Sequence, residues 1–441
     1  MMNRFILLLL LVSMRSQAQP KSILADQLQP AVFSLTMVML HDVVNPPAAS
    51  RFFSYCSIGA YDIVSQNNIS MVPPGAFIRN YNAAKIKTAQ KDYNYQIAAL
   101  YSIYEAGRVF LPSGYMLDEK QQAFLAWLRK NKVKESIIDS SVSVAQQVVS
   151  HLSNWSKKDG YANLSARLRY TPLRGEQYWF PTPPSYMDAV EPHWRTIRPM
   201  IIDSSNQFIP PPLVTFSRDT SSAFYALVME VYSVSKSLTP DQLTMAGFWD
   251  CNPFAVANAG HMSLGFKKIS PGAHWMNITC IAAKKAALPF DQSVQLLAIE
   301  ATTLMDAFIS CWDEKYRSNR IRPETYINKY IDPRWMPVLQ TPPFPEYTSG
   351  HSVVSAASAE VLTYLLGDKF AYTDNTEEMF DLKPRHFNSF REAAAEAAIS
   401  RLYGGIHYRD AIDQGVVEGA KLGQFISHKL QTAGITRLTN H

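Results

Sequence analysis

Apolar residues recur at the spacing of an amphipathic α-helix along most of the chain. Proline clusters such as Pro46-Pro47 and Pro73-Pro74 separate these periodic stretches. A sustained alternation of apolar and polar residues, which is typical of half-buried strands, does not occur. The pattern therefore predicts an all-α protein. The predicted helices span residues 32–43, 51–65, 95–109, 119–131, 135–155, 222–235, 239–249, 272–287, 290–319, 352–366, 389–402 and 410–431.

These helices form two groups on either side of a segment without helical periodicity. Residues 161–217 are rich in proline, aromatic and turn-forming residues, and we interpret them as an ordered connection. We expect two packed helical bundles, an N-terminal region at 19–217 that includes the connection and a C-terminal bundle at 218–441 with its own core. The sequence contains neither an internal repeat nor a low-complexity segment.

Residues 1–18 have the features of a secretory signal peptide. An apolar run at 5–12 is followed by the small-residue pattern Ser16-Gln17-Ala18. The run is shorter than the ~20 residues of a membrane span, and no membrane span is expected elsewhere. Because the first cysteine is Cys56, no lipid anchor is expected. We therefore expect a protein that is exported to the periplasm or the extracellular space and cleaved near Ala18.

The overall charge favours anionic ligands over nucleic acid. The chain has 441 residues, with 42 lysines and arginines against 37 acidic residues, and a net charge of +5. The basic residues are scattered rather than collected in tracts, so nucleic acid is not an expected partner. The four cysteines form no CxxC pair, which disfavours a zinc site, and both buried thiols and disulfides stay open for them. A homo-oligomer is not excluded.

Three short segments in the C-terminal third carry groups that can bind an oxyanion. In the first segment, Lys315 and Arg322 are seven residues apart, which is two helical turns. We expect both side chains to project from one face of a long helix that Pro323 ends. Alone, such a pair is typical of a solvated helix surface.

The second and third segments each add a histidine. Ser349-Gly350-His351 directly precedes a helical run, where free backbone N–H groups and the positive end of the helix dipole favour an anion. Ser349 could also simply cap that helix. In the third segment, the turn at Gly404-Gly405 would allow Arg401 and His407 to face one point. Together the three segments predict one anion-binding pocket.

In order and internal spacing, these segments resemble the vanadium-dependent haloperoxidases and the type 2 phosphatidic acid phosphatases, which form one superfamily. The shared pattern is Lys, six residues, Arg-Pro; then Pro-Ser-Gly-His; then Ser-Arg, five residues, His, three residues, Asp. The chain matches this pattern at Lys315, Arg322-Pro323, Ser349-Gly350-His351, Ser400-Arg401 and His407. It departs at Thr348, which replaces the proline, and at Asp410, which lies one position early, or ~100° around a helix. The resemblance covers roughly residues 222–427 and is nearest to the bacterial iodoperoxidase and bromoperoxidase branch.

The resemblance implies an enzyme that binds vanadate and oxidises a halide, iodide or bromide being favoured, with hydrogen peroxide to a hypohalous species. It implies that the vanadate oxygens are held by Lys315, Arg322, Ser349, Gly350 and Arg401. His407 would be the axial vanadium ligand, His351 the acid-base group, and Lys315 would assist peroxide activation. It also implies a halide pocket at Trp312, Phe344 and Phe254, with supporting roles for Asp410 and Asp313. Phosphate or sulfate could occupy the same site, and an organic acceptor stays an open option.

Two other functions stay open at this point. The same residues would serve an exported acid phosphatase, with His407 forming a phosphohistidine and His351 protonating the leaving group, because vanadate resembles the phosphoryl-transfer transition state. The other alternative is a non-enzymatic helical binding protein that uses its aromatic residues, 12% of the chain, as stacking surfaces. The chain length and the residues around Trp312 favour the peroxidase.

Overall fold

The computed structural model describes residues 24–87, 92–259 and 262–438, and helix is the dominant element within them. The predicted signal peptide at 1–18 lies outside the described residues. The α-helices are α1 (Leu28–His41), α2 (Pro46–Asn67), α3 (Tyr95–Phe110), α4 (Asp118–Lys130), α5 (Glu135–Ser156), α6 (Ala223–Lys236), α7 (Pro240–Phe248), α8 (Pro271–Lys285), α9 (Phe290–Ser318), α10 (Pro323–Tyr330), α11 (Gly350–Leu366), α12 (Phe390–Tyr403) and α13 (Arg409–Thr432). Two antiparallel hairpins pair β1 (Val256–Ala259) with β2 (Met262–Gly265) and β3 (Tyr372–Asp374) with β4 (Arg385–Phe387).

The prediction of an all-α protein is confirmed, with α10 and the two hairpins as elements that the hydrophobic pattern does not predict. In α10, Pro323 occupies the first helical position, where proline is tolerated because an N–H there has no partner within the helix. The strands are three or four residues long, which is too short for an alternating pattern to be recognised.

Helix α9 lies at the centre of the molecule. It packs against α2, α8 and α11, and nearly every residue from Phe290 to Lys315 is buried. By length and composition α9 could cross a membrane, but its most apolar stretch is completely buried inside the protein. The motif-bearing end of α9 is therefore held by packing on several sides.

One hydrophobic core extends across the predicted boundary at residue 218. Phe53 of α2, Leu304 of α9 and Leu362 of α11 belong to the same buried cluster. A smaller cluster around Tyr326 and Tyr408 connects α10 to the start of α13. The division into an N-terminal region at 19–217 and a C-terminal bundle at 218–441 stays a prediction.

The connection predicted at 161–217 packs against the chain that follows α9. Trp179 N–H donates to Asn319 O at 2.7 Å, and Ile321 N–H donates to Gln177 O at 3.0 Å. Further along the connection, the backbone N–H of Val190 donates to the carbonyl of residue 343 at 3.0 Å. The connection thereby holds the segments that lead into Arg322 and into α11.

Helices α11 and α13 cross at close range because glycines face the contact. A Cβ atom at Gly419 would lie 2.1 Å from Val353 O, and one at Gly423 would lie 2.7 Å from Ala357 O. A side chain at either position would force the backbones apart, so both positions favour glycine. The close crossing brings the N-terminus of α11 to the start of α13, where the backbone N–H of Ser349 donates to the carbonyl of residue 411 at 3.0 Å.

Candidate active site

The amino group of Lys315 is buried near the end of α9. It donates to three carbonyl oxygens of the turn before α11, those of Pro345 and Glu346 at 3.1 Å each and that of Thr348. Burial, together with the positive charge of Arg322, lowers the pKa of Lys315 to about 8. Lys315 therefore anchors this turn and places a positive charge beside it.

Arg322 does not lie on α9, so the expectation of one shared helix face is wrong. Helix α9 ends before Asn319, which adopts a left-handed conformation with a φ of 49°, and Arg322 is extended ahead of α10. Asparagine accepts this backbone more readily than most residues, so the chain turns there instead of continuing to Pro323. The guanidinium still reaches the pocket, where Nε donates to Phe344 O and Nη1 to Ile406 O, each at 2.9 Å.

The N-terminus of α11 forms one side of the pocket. Ser349 is the N-cap, and its hydroxyl accepts from Ser352 N–H at 3.4 Å, so the capping role is present. Gly350 and His351 follow in the first turn and line the cavity. The ring of His351 is hydrogen-bonded to the backbone of Trp249, and its Nε2 atom is buried without a hydrogen-bond partner among the described residues. This nitrogen is therefore available to a ligand.

Arg401 and His407 lie on either side of the turn between α12 and α13. Gly405 in this turn has a φ of 76°, a backbone conformation that favours glycine, and both side chains line the cavity. Arg401 Nε donates to Ser400 Oγ at 2.9 Å. His407 Nε2 lies 3.2 Å from Arg322 Nη1. The turn thus brings His407, from the third motif segment, next to Arg322, from the first.

Burial favours the neutral form of both histidines of the pocket. Burial is the main cause that lowers the pKa of His351 and the pKa of His407 well below the ordinary value, and nearby cations add to the effect. For His407 the cations are Arg322, Lys315, Arg401 and Arg320. A neutral imidazole keeps one lone pair, which a metal ligand or a general base requires.

Glu346, which the sequence motifs do not single out, orients His407. Its Oε1 atom accepts from His407 Nδ1 at 2.8 Å and from Tyr408 N–H at 3.0 Å. Because the carboxylate favours the ring proton on Nδ1, the lone pair of the neutral ring is left on Nε2. The sequence signal for this role is an acid three residues before Ser349, which is weak by itself.

The expected contact between Asp410 and His407 is replaced by a longer chain of groups. Asp410 forms a bidentate pair with Arg320, at 2.7 and 2.8 Å, and Arg320 Nε lies 3.3 Å from Glu346 Oε2. Being one position early in the first turn of α13, Asp410 projects ~100° away from the direction that the motif requires. It can act on His407 only through Arg320 and Glu346. Burial raises the pKa of Glu346, and Arg320 and Arg322 oppose that rise.

The three aromatic residues predicted for a halide pocket all border the cavity. Trp312, Phe344 and Phe254 all border it, and the cavity with its opening measures about 530 Å³. The ring centroids of Trp312 and Phe344 are 4.9 Å apart, and Lys315 Nζ lies 5.1 Å from the centroid of Phe344. Trp312 Nε1 donates to Val190 O at 3.1 Å, so the connection fixes the indole. An apolar wall thus stands beside the cations.

Asp313, predicted as a supporting residue, makes its contacts elsewhere. Its carboxylate pairs with Arg317 at 2.6 Å, one turn further along α9, and lies 3.9 Å from Arg195. Neither arginine lines the cavity. Neither Asp313 nor Asp410 borders the cavity.

The pocket fits a tetrahedral oxyanion. Burial lowers the pKa of Lys315 to about 8, that of Arg322 to about 10, and that of Arg401 as well. Arg322 Nη2 is buried and has no hydrogen-bond partner in the described part of the chain. A buried donor without a partner is costly, so an anion with several oxygens would stabilise both this donor and the three charges. Vanadate, phosphate and sulfate share this chemistry.

The fold and the pocket define a helical oxyanion-binding enzyme, and the chain belongs to the vanadium-dependent haloperoxidase family. It is 42% identical to a bacterial vanadium-dependent iodoperoxidase of known structure, over 94% of this chain and 98% of that chain, with a TM-score of 0.86. A family model, the VCPO second helical-bundle domain, matches residues 328–434. Holo and apo structures of a bacterial vanadium-dependent chloroperoxidase share the fold, each at 14% identity and a TM-score of 0.65. The holo structure matches over 89% of this chain and 94% of its own, and the apo structure over 88% of this chain and 95% of its own. No curated protein sequence matches the chain.

Family membership makes the chain an enzyme of the peroxidase type. The expectation of a haloperoxidase is confirmed at this level, and the alternative of a non-enzymatic binding protein is wrong. The individual roles of the pocket residues stay predictions.

Proposed function

We propose that the chain binds vanadate and oxidises iodide with hydrogen peroxide. The observation that carries this proposal is the group of three buried cations, Lys315, Arg322 and Arg401, around a histidine, His407, that Glu346 orients. The relative with 42% identity is described as an iodoperoxidase, which favours iodide over bromide. An apolar wall also suits a large, weakly hydrated anion better than a strongly hydrated one.

Each cation of the pocket has a role in holding vanadate. Lys315, Arg322 and Arg401 would neutralise the charge of its oxygens, and Gly350 N–H at the start of α11 would add a hydrogen bond. His407 would bind the vanadium through Nε2, because Glu346 keeps the ring proton on Nδ1. When bound, the cofactor supplies a Lewis-acidic centre at which peroxide becomes a stronger oxidant.

His351 is suited to the proton transfer. Its Nε2 atom is unprotonated and has no hydrogen-bond partner in the described residues, so it can accept a proton from incoming hydrogen peroxide. Lys315, with a pKa of about 8, stays largely protonated at neutral pH and can stabilise negative charge on the peroxide oxygens. Trp312 and Phe344 border the same cavity and limit the access of water.

A reconstitution assay tests this proposal. Protein freed of vanadate is assayed with hydrogen peroxide and iodide, bromide or chloride, before and after addition of orthovanadate, and in parallel with p-nitrophenyl phosphate. We expect vanadate-dependent oxidation that is fastest with iodide. His407→Ala should abolish this oxidation while the circular dichroism spectrum is retained. Phosphate ester hydrolysis without vanadate-dependent oxidation would instead support the phosphatase alternative.

We propose in addition that the protein is exported. The apolar run at 5–12 and the pattern Ser16-Gln17-Ala18 support this proposal. N-terminal sequencing of the protein from separated cell fractions tests it. A mature chain that begins after Ala18 in the exported fraction is expected, and an uncleaved chain retained in the cytoplasm would contradict it.

A further inference from the structure

A second cluster of side chains, Cys251, His274 and Glu377, lies beside the anion pocket. Cys251 follows α7, His274 lies in the first turn of α8, and Glu377 follows β3. All three are buried, with exposed fractions of 3%, 0% and 1%. All four cysteines of the chain are free thiols, so Cys251 is available as a ligand. The proposed peroxidase chemistry does not use these groups.

The two distances from His274 Nδ1 match those between neighbouring ligands of a tetrahedral metal site. His274 Nδ1 lies 3.5 Å from Cys251 Sγ and 3.4 Å from Glu377 Oε1, and the three atoms all lie within 4.8 Å of one another. Zinc binds thiolate sulfur at ~2.3 Å and imidazole nitrogen or carboxylate oxygen at ~2.0–2.2 Å. At tetrahedral angles, these bond lengths separate neighbouring ligand atoms by about 3.3–3.6 Å. Both distances from Nδ1 fall in this range.

The imidazole of His274 is held in the orientation that a metal ligand requires. Its Nε2 atom pairs with the buried carboxylate of Asp374 at 2.8 Å. The indole of Trp249 stacks on the ring, with centroids 4.6 Å apart and planes inclined by 21°. A carboxylate on the far nitrogen of a ligating histidine fixes the tautomer that leaves the near nitrogen free for the metal. Nδ1 is this near nitrogen.

Glu377 provides an independent indication of a bound cation. Its Oε1 atom is buried and accepts no hydrogen bond from the described residues, although His274 Nδ1 is 3.4 Å away. A simple ion pair would direct the N–H at this oxygen, whereas a metal between the two atoms requires that their lone pairs converge on it. A buried carboxylate oxygen without a partner is costly unless a cation satisfies it.

We propose that Cys251, His274 and Glu377 bind one divalent transition-metal ion of the zinc class. A thiolate, an imidazole and a carboxylate together favour zinc over magnesium or calcium, and water would complete the coordination. On binding, the Cys251 thiol releases its proton to solvent, and His274 binds through unprotonated Nδ1 while it keeps the Nε2 proton for Asp374. Because Asp374 and Glu377 are acidic, the cluster would repel the oxyanion that the neighbouring pocket suits.

The ion would have a structural role at the wall of the anion pocket. Cys251 borders the cavity, and the backbone of Trp249, two residues earlier, is hydrogen-bonded to His351. His274 belongs to α8, and Glu377 lies between β3 and β4. One metal ion would tie these separate parts together and hold the loop after α7 against His351.

Metal analysis of the full chain tests this proposal. After dialysis against zinc chloride and removal of free metal, the protein should retain about one equivalent of zinc by mass spectrometry. Exchange for Co²⁺ should produce a thiolate-to-cobalt charge-transfer band in the near ultraviolet, which requires a sulfur ligand. Zinc far below one equivalent, together with the absence of this band, would overturn the proposal. The cluster would then be a buried ion pair in which His274 is protonated between two carboxylates.

Two variants and one control test Cys251 as the sulfur ligand and Asp374 as the residue that orients His274. Cys251→Ser should abolish the cobalt band, and Asp374→Asn should weaken zinc binding roughly 10–100-fold while the band persists at saturating Co²⁺. Cys280→Ser is the matched control, because Cys280 is also a buried thiol of this region but lies outside the cluster. A band that survives in Cys251→Ser, or that is lost in Cys280→Ser, would contradict the assignment. Circular dichroism verifies that each variant is folded, and metal binding is read without reference to peroxidase activity.

Discussion

Replacing Glu346 by glutamine should weaken vanadate binding while the pocket cations stay in place. Glu346 accepts hydrogen bonds from His407 Nδ1 at 2.8 Å and from Tyr408 N–H at 3.0 Å, and Arg320 Nε lies 3.3 Å from its second oxygen. A glutamine has a similar shape but no charge, so its hold on the Nδ1 proton is weaker. His407 Nε2 then becomes a poorer ligand for vanadium.

The size of the effect follows from these contacts. A hydrogen bond to a charged group contributes ~1.5–3 kcal/mol, and a neutral one ~0.5–1.5 kcal/mol. The difference of ~1–2 kcal/mol for the His407 contact corresponds to a loss of affinity of about 5–30-fold. This agrees with the roughly 10–100-fold loss that is typical when the partner of a ligating histidine is removed.

Vanadate affinity is measured by isothermal calorimetry on the vanadate-free protein, and the dependence of iodide oxidation on added vanadate gives a second measure. Glu346→Asp keeps the charge and should restore part of the affinity. Asp410→Asn acts two residues further away, through Arg320 and Glu346, and should have a smaller effect than Glu346→Gln. If folded Glu346→Gln protein binds vanadate within about threefold of the parent chain, the orienting role is refuted.

Two further predictions concern charge and packing. Sulfate should bind the vanadate-free chain most tightly below pH ~8 and more weakly above it, because the pKa of Lys315 is about 8 and only the protonated amine attracts the anion. The affinity is measured by calorimetry at constant ionic strength. An affinity that does not change between neutral pH and pH ~9.5 would contradict this prediction. Gly419→Ala should lower the free energy of unfolding by ~1–3 kcal/mol, since its Cβ would lie 2.1 Å from Val353 O. Gly247→Ala is the control, because Gly247 lies in a helix and an added Cβ would have nothing within 4 Å; this variant should be neutral or slightly stabilising. Urea titration measures the free energy of unfolding of both variants. Equal losses in the two variants would refute the packing explanation.

The sequence predicts helices well because each one carries its own periodic signal. The predicted bounds of the helix at 290–319 agree with α9 to within a residue, and those at 135–155 agree with α5 equally well. The pocket residues are predictable for a different reason, since they lie in three short segments with fixed internal spacing. Arg322 reaches the pocket although the prediction that it lies on the long helix is wrong. The spacing between Lys315 and Arg322 in the motif indicates that both side chains reach the pocket, whichever element carries them.

The supporting groups are less predictable because they come from parts of the chain that no local pattern connects. Glu346 has only a weak spacing signal, and its role depends on how the turn before α11 meets the turn before α13. Cys251, His274 and Glu377 likewise come from three separate parts of the chain. The sequence prediction of no zinc site is based only on the absence of a CxxC pair of cysteines. The proposed site also uses a histidine and a carboxylate from other elements, which that criterion does not include.

The central position of α9 has a consequence for the order in which the chain folds. Helix α2 is synthesised long before α9 exists to cover it, and α9 is complete before α11 appears. Contacts between such distant segments are slow to form and leave apolar surface exposed meanwhile. The surface of α2 that α9 covers should therefore stay exposed until most of the chain has been made. Under the export proposed above, such a delay would favour transport of the chain before it folds.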